Sequence, residues 1–98
     1  MITIQNIIDW SKRHPSCNGR ATVIYNSVVR FSIVGGDKGL YGDFVNTFEL
    51  AILNTETGGY LTKFFYPEGD NDVIAYMSGE KLCKLINKVI KNNDFQVR

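Results

Sequence analysis

Two segments with helical apolar spacing bracket a central stretch rich in β-branched and aromatic residues. The first runs from about Thr3 to Arg13, and the second runs from an N-cap at Ser78 to about Asn92. Their apolar stripes are Ile4, Ile7 and Ile8 in the first, and Leu82, Leu85, Ile86, Val89 and Ile90 in the second. In a chain of 98 residues, only a sheet formed by the central stretch offers a surface that buries both stripes. The sequence therefore predicts one α+β domain over residues 1–98, an antiparallel sheet of three to five strands flanked by an N-terminal and a C-terminal helix, with a frayed tail at residues 94–98.

Four stretches of the central region carry strand signals. They are Arg20 to Val34, Phe44 to Asn54, Tyr60 to Tyr66, and Val73 to Met77. The pair Asn26-Ser27 either forms a tight turn that splits the first stretch into a hairpin or lies within one long bent strand. The last stretch is either a short strand or a lead-in to the final helix.

The register of a second hairpin follows from its turn. A three-residue loop from Glu56 to Gly58, with Gly58 left-handed, pairs Thr55 with Gly59. The facing pairs are then Leu50 with Phe64, Ile52 with Thr62, and Phe48 with Tyr66. The second face of this sheet carries Leu53, Leu61 and Phe65 beside Glu49 and Lys63. Either both faces are covered, or the half-apolar second face meets a partner.

The balance of charge excludes two classes of protein. Eleven basic and ten acidic residues give a net charge of +1, which excludes a highly basic nucleic-acid coat and a highly acidic nucleic-acid mimic. No apolar run approaches the roughly 18 residues of a transmembrane helix, and the first ten residues lack the pattern of a signal peptide. The chain has only two cysteines, Cys17 and Cys83, which is typical of a protein whose thiols stay reduced rather than form a disulfide. We therefore expect a cytoplasmic protein with no membrane partner.

Residues that could support catalysis are sparse. The only histidine, His14, stands at the predicted end of the first helix, and any Ser–His–Asp or Cys–His device needs it. Cys17 follows three residues later, but nearness in sequence does not place a thiol on an imidazole. Two cysteines and one histidine at unrelated spacings do not make a zinc site. We expect no catalytic residue, no metal site and no cofactor.

Two loops have the composition of ligand sites. The stretch from Gly35 to Asp43 contains four glycines, but it matches neither GxGxxG nor GxxxxGK[ST] and leads into a strand. We interpret it as a mobile connection whose Lys38 and Tyr41 contact a protein partner. The second loop, Glu68-Gly69-Asp70-Asn71-Asp72, is either an acidic, solvated turn or a weak cation site, because its carboxylates lack the EF-hand spacing.

The most specific surface feature is a row of lysines on the last predicted helix. Their spacings of three, four and three residues place them on one stripe, opposite the apolar stripe. The row consists of Lys81, Lys84, Lys88 and Lys91. It is either a solvated outer face or a contact for phosphates or an acidic protein surface.

Aromatic residues exceed what so small a core needs. Phe65 and Tyr41 are expected to be left exposed, and Leu61 shares a sheet face with Phe65 in the predicted register. Exposed aromatic residues are natural anchors at interfaces, so Phe65, Leu61 and Tyr41 are candidate partner-binding residues.

The order of helix, antiparallel strands and helix resembles the double-stranded-RNA-binding domain in topology. That family carries a lysine-rich start to its last helix and a Gly-Pro-x-His loop. Here the segment from Ser78 to Lys84 contains two lysines, and Gly-Pro-x-His does not occur. The resemblance implies nucleic-acid binding as one possible function.

In style, the chain also resembles the small accessory proteins of bacteriophages and mobile elements. It is short, rich in Asn and Ile, and free of catalytic motifs. Many such proteins inhibit a host or defence enzyme by binding it. The resemblance implies a non-enzymatic protein that docks on and occludes a macromolecular partner, with a protein favoured as that partner.

Two alternatives accompany this first hypothesis. The chain is alternatively a nucleic-acid-binding domain that uses the lysine row, with Arg13 and Arg20. An enzyme ranks last, since its pocket would need carboxylates such as Glu49, Asp70 and Asp72. A homodimer formed through the second sheet face is compatible with either binding hypothesis.

Overall fold

The computed structural model describes residues 1–69 and 71–92, apart from the side chain of Asn92. The helices are α1 (Ile4–Asp9), α2 (Thr62–Phe65) and α3 (Gly79–Asn92), and Pro67–Gly69 forms a 3₁₀ turn. The strands are β1 (Lys12–Arg13), β2 (Arg20–Tyr25), β3 (Val29–Gly35), β4 (Thr47–Asn54) and β5 (Ile74–Ser78). They form one antiparallel sheet in the order β1-β2-β3-β4-β5. The predicted fold class is confirmed, while the expected tail at residues 94–98 lies outside the described residues.

The hydrophobic core lies between one face of the sheet and the helices α1 and α3. Alternate residues of the central strands point into it, and the predicted stripe of α3 covers them. The fully buried side chains include Ile7, Phe31, Ile33, Phe48, Leu50, Ile52, Leu82 and Ile86. Burial of each such side chain contributes roughly 1.5–3 kcal/mol, so this face of the sheet holds both helices in place. We call it the inner face.

The first helix is shorter than predicted. Thr3 caps α1 as expected, with its hydroxyl accepting the Asn6 N–H at 3.2 Å. The helix ends at Asp9 because the Ile7 carbonyl accepts the Thr22 hydroxyl at 2.6 Å, and the Ser11 N–H turns instead to the Ile8 carbonyl. The expected helical residues 12 and 13 form β1, so the predicted helix to Arg13 is wrong.

The pair Asn26-Ser27 lies in a hairpin turn between β2 and β3. The Asn26 carboxamide oxygen accepts the N–H groups of Val28 and Val29, each at 2.8 Å. This side chain mimics a backbone acceptor and closes the turn. Of the two alternatives that the sequence allows, the structure has the hairpin rather than one long strand.

The predicted register of the second hairpin is wrong from its first pair onward, because Gly59 pairs with Asn54 rather than with Thr55. Gly58 is left-handed as expected, with φ 76°, but the pairing is a single bridge between Leu53 and Tyr60, one residue away from the predicted register. The chain then forms α2 instead of a strand. The buried Thr62 hydroxyl accepts the Ile52 N–H at 2.9 Å and donates to the Ile52 carbonyl at 3.3 Å, so a side chain satisfies the groups that a paired strand would have used.

A β-bulge in β5 lets this strand both pair with β4 and contact the β3–β4 loop. Phe48 pairs with Met77 and Leu50 with Ile74, so two residues of β5 oppose Glu49. Tyr76 in this bulge has φ 52° and donates its N–H to the Tyr41 carbonyl at 2.8 Å. The sequence leaves open whether residues 73–77 form a strand, and the structure has one there. The strand ends on Ser78, whose hydroxyl accepts the Lys81 N–H as predicted for the helix cap.

The start of β4 depends on one carboxylate. The sequence predicts a strand from Phe44, but β4 begins at Thr47 because Asp43 Oδ1 accepts the N–H groups of Val45, Asn46 and Thr47 at 2.8–3.0 Å. The backbone N–H of Thr47, then those of Val45 and Asn46, lower the pKa of Asp43 from 3.8 to about 2.

We predict that Asp43→Asn weakens the acid sensitivity of folding. Because the folded-state pKa of Asp43 is lowered, its stabilisation is fully present above pH 3.8 and is lost as the pH falls toward 2. The urea midpoint of the wild type should therefore drop more steeply over this range than that of the variant. Equilibrium urea unfolding at pH 7 and at pH values between 4 and 2 measures this, and equal pH profiles would contradict the prediction.

Candidate functional site

The residues that could have formed a thiol-based active site do come together, but with the wrong hydrogen bonds. Asp37 accepts the N–H groups of Asn18 at 3.0 Å and Lys38 at 2.8 Å, which lower its pKa. His14 Nδ1 accepts the Ser16 N–H at 3.0 Å. A nucleophilic cysteine needs a base that takes its proton, whereas here the Asp37 carboxylate and His14 Nδ1 already accept backbone N–H groups. The cluster ties the β1–β2 loop to the β3–β4 loop.

The glycine-rich loop does not form an anion cradle. Its Lys38 N–H donates to Asp37 Oδ1 at 2.8 Å, and its Tyr41 N–H donates to Glu49 Oε1 at 3.1 Å. Backbone amides that already bind carboxylates do not attract a phosphate. Gly42 serves packing, since a Cβ there would lie 2.7 Å from the Thr47 carbonyl oxygen and within 2.8 Å of the β4 backbone.

We predict that Gly42→Ala destabilises the fold more than Gly39→Ala. The first substitution must push two backbone segments apart, at a cost of about 1–3 kcal/mol. The second meets open space and costs only the left-handed conformation, about 1 kcal/mol, because Gly39 has φ 86°. Urea unfolding of both variants measures the difference. A larger loss for Gly39→Ala would show that conformation rather than contact decides at this loop.

The acidic loop offers no assembled cation site in the part that the structure describes. Glu68 and Asp72 are exposed, and Asp70 lies outside the described residues. Across residues 1–69 and 71–92, no group of three His, Cys, Asp or Glu side chains is placed to hold a metal ion.

The lysine row lies on the exposed side of α3, beside a groove. Lys81, Lys84, Lys88 and Lys91 are all exposed. Lys84 pairs with Glu80 at 3.2 Å, but both side chains are largely exposed, so the pair holds neither strongly. A groove of about 980 Å³ separates α3 from residues 1–4. We call it the α3 groove.

One side chain joins the two walls of the α3 groove. The Asn87 carboxamide accepts the Ile2 N–H at 2.7 Å and donates to the Ile2 carbonyl at 2.8 Å. It therefore binds residue 2 as a neighbouring strand would, and it fixes the N-terminal segment alongside the helix.

The floor of the α3 groove is apolar and its rim is cationic. Its floor is lined by Ile2, Ile4, Cys83 and Ile90. Its edge carries the lysines at 84, 88 and 91 together with Glu80, which pairs with Lys84, so the rim is net positive. Burial raises the pKa of the Cys83 thiol, which keeps this group neutral. An apolar floor beside a row of cations suits a ligand with apolar side chains on one side and carboxylates on the other.

The other predicted partner-binding residues lie elsewhere. Lys38 and Tyr41 are exposed on the β3–β4 loop, with the Tyr41 ring 5.9 Å from Tyr76. Leu61 and Phe65 pack against the core, so the expectation that Phe65 is exposed is wrong. The neighbouring Phe64 is the exposed one, at 76%. The signal for this was the i, i+4 spacing of residues 61 and 65, which places both on one side of a helix.

The second face of the sheet is only partly as predicted. Leu53 and Glu49 lie on it, whereas Leu61 and Phe65 do not. Tyr25 and Tyr60 were not predicted there, and both are exposed on it. In the part of the chain that the structure describes, no helix covers this face. The loop residues His14, Leu40 and Val73 lie against part of this face, and the part around Val23 and Tyr25 is left exposed.

We predict that Asn87→Ala frees the N-terminal segment. The loss of two hydrogen bonds should lower the free energy of unfolding by about 1–2 kcal/mol and speed exchange of the Ile2 amide. Hydrogen exchange by NMR, with urea unfolding, measures both. The exposed neighbour substitution Lys88→Ala is the control and should change neither. Unchanged exchange at Ile2 would mean that Asn87 does not hold the segment.

Within the described ranges, no helix combines the length and the apolar character needed to cross a bilayer.

No protein-family model, curated protein or solved structure matches this chain.

Proposed function

We propose that this chain is a non-enzymatic binding protein whose α3 groove takes an acidic, amphipathic segment of a protein partner. The observation that carries the proposal is the apolar floor of the groove edged by Lys84, Lys88 and Lys91. The apolar floor supplies binding energy through burial. The lysines favour carboxylates and speed their approach.

The apolar floor favours a protein over a nucleic acid. A phosphate backbone is recognised mainly by cations and polar groups. It gains no binding energy from the apolar side chains of Ile2, Ile4 and Ile90. Arg13 and Arg20, which would extend a nucleic-acid contact, bind Asn18 and Ser11 within the fold. The lysine row alone supports the alternative, a nucleic-acid-binding domain.

Occlusion is the mechanism that this proposal implies. A stable protein interface covers about 800 Å² on each partner, which is about one eighth of the 6143 Å² surface of this chain. A partner held in this way has its bound segment blocked from other contacts. Inhibition of a host or defence enzyme is the form of this function that the resemblance to phage accessory proteins favours.

The proposal includes two further statements: the protein has no enzymatic activity, and it is located in the cytoplasm. The hydrogen bonds at His14 and Asp37 support the first, because both groups already accept backbone N–H groups. Two free cysteines, Cys17 and Cys83, support the second.

The test is a pull-down with a matched pair of charge-reversal variants. Tagged wild type, Lys88→Glu/Lys91→Glu and Lys38→Glu/Lys63→Glu are used to capture proteins from bacterial lysate, with and without nuclease. Both variants change the net charge equally, but only the first alters the rim of the α3 groove. We expect one dominant protein that survives nuclease, with recovery reduced about tenfold by Lys88→Glu/Lys91→Glu and unchanged by the control.

Fluorescence anisotropy with a labelled single strand and a labelled duplex, each of about 20 nucleotides, covers the alternative at about 50 mM salt. Binding that weakens stepwise as lysines of α3 are replaced, with no protein retained after nuclease, would replace the proposal with nucleic-acid binding. Loss of the captured protein only in the Lys38→Glu/Lys63→Glu variant would move the site to the β3–β4 loop and overturn the groove.

A further inference from the structure

The N-terminal wall of the α3 groove has its backbone groups occupied. The Ile2 N–H and carbonyl both bind the Asn87 carboxamide, at 2.7 and 2.8 Å. The Thr3 N–H donates to Asn6 Oδ1 at 3.0 Å, and the Thr3 carbonyl accepts the Ile7 N–H at 3.2 Å. All four backbone polar groups of residues 2 and 3 are therefore used within the chain, so this wall offers no edge to which a strand could be added.

The other wall is α3 itself, whose backbone N–H and carbonyl groups bond each other along the helix. Between the walls the floor consists of the isoleucine side chains and the weakly polar thiol of Cys83. In the part of the chain that the structure describes, neither wall supplies a backbone partner for a segment that enters the groove. Such a segment must satisfy its own backbone N–H and carbonyl groups, because leaving them unpaired on an apolar floor costs binding energy.

We propose that the occupant of the α3 groove is an amphipathic α-helix of a partner protein. This inference rests on the proposed function, and it specifies the conformation in which the acidic segment binds. An extended segment gains its affinity by adding a strand to an unpaired edge, which residues 2 and 3 do not provide. An α-helix closes its hydrogen bonds internally and presents an apolar stripe to the floor.

The length of the groove and the spacing of its charges suit about three helical turns. Along α3 the groove extends from Gly79 to Lys91, which is about 18 Å at 1.5 Å per residue. Lys84, Lys88 and Lys91 follow one another at intervals of one turn, so carboxylates at i, i+4 and i+7 of a helix lying alongside have the same rise. Glu80 disfavours a carboxylate at its own end of the groove. The acidic residues of the occupant therefore belong opposite Lys88 and Lys91.

A second copy of this chain does not supply such a helix from the residues that the structure describes. α3 carries four lysines and one glutamate, so two α3 grooves repel each other. α1 has one acidic residue, Asp9, and the Ile7 side chain of its apolar stripe is buried in the core. α2 has only four residues, one of which is a lysine. The occupant is therefore a helix of a different protein.

The first experiment compares two forms of one synthetic peptide of about 14 residues. The peptide has leucines at i, i+3, i+4 and i+7 with glutamates beside them. One form is linear, and the other has a lactam bridge between a glutamate and a lysine four residues apart on the side opposite the leucines. The bridge fixes the helix without changing the side chains that face the groove. Isothermal titration calorimetry should show the bridged form binding at least about fivefold more tightly, because its helix is ordered before binding.

The second experiment locates the peptide through the two cysteines. Both are partly exposed, and Cys83 lies in the floor of the groove while Cys17 lies outside it. Alkylation by iodoacetamide at about pH 8.5, read at each cysteine by mass spectrometry, measures the cover. We expect the bridged peptide to slow alkylation of Cys83 and to leave that of Cys17 unchanged.

The charge-reversal variants test the rim with the same peptides. Lys88→Glu/Lys91→Glu should weaken binding of the bridged peptide about tenfold, because its carboxylates then meet glutamates. Lys38→Glu/Lys63→Glu changes the net charge equally outside the groove and should leave the affinity unchanged. Far-UV circular dichroism confirms that each variant is folded.

The failure of this inference is distinguishable from the failure of the proposed function. Equal or tighter binding of the linear peptide, with Cys83 protected, would overturn the helical occupant and leave an acidic protein segment as the ligand. No binding of either peptide up to about 1 mM would overturn the proposed function together with the inference. Binding that leaves Cys83 unprotected would place the peptide elsewhere and overturn both. Protection of Cys83 by oleate, and by neither peptide, would assign the groove to an anionic lipid.

Discussion

The packing of α3 onto the inner face of β4 and β5 determines where everything else lies. Leu82 and Ile86 are fully buried there, against a face that includes Phe48 and Leu50. Once that stripe is buried, helical geometry forces the lysines at 81, 84, 88 and 91 outward. Residues 1–4 can then reach only the flank of α3, which creates the groove. Because α1 and α3 both pack on the inner face, no helix of the described residues lies over the other face of the sheet.

The sequence predicts α3 and the inner face well because their signals are local and strong. Five apolar residues at helical spacing and a serine cap specify α3 without reference to the rest of the chain. The α3 groove cannot be predicted in this way, because its second wall is held in place by Asn87 binding the backbone of Ile2, 85 residues away. An asparagine on a helix surface carries no sign of such a partner.

The failure at residues 60–66 has a definable cause. Tyrosine, phenylalanine and leucine there favour a strand, and the turn before them is a good hairpin turn. The competing pattern is helical, since Leu61 and Phe65 reach the core together from one side of α2. Packing against the core favours the helix. The Thr62 hydroxyl then makes the hydrogen bonds to the Ile52 N–H and carbonyl that a paired strand would have made. This exchange also moves Phe64 outward and leaves the second face of the sheet to Tyr25 and Tyr60.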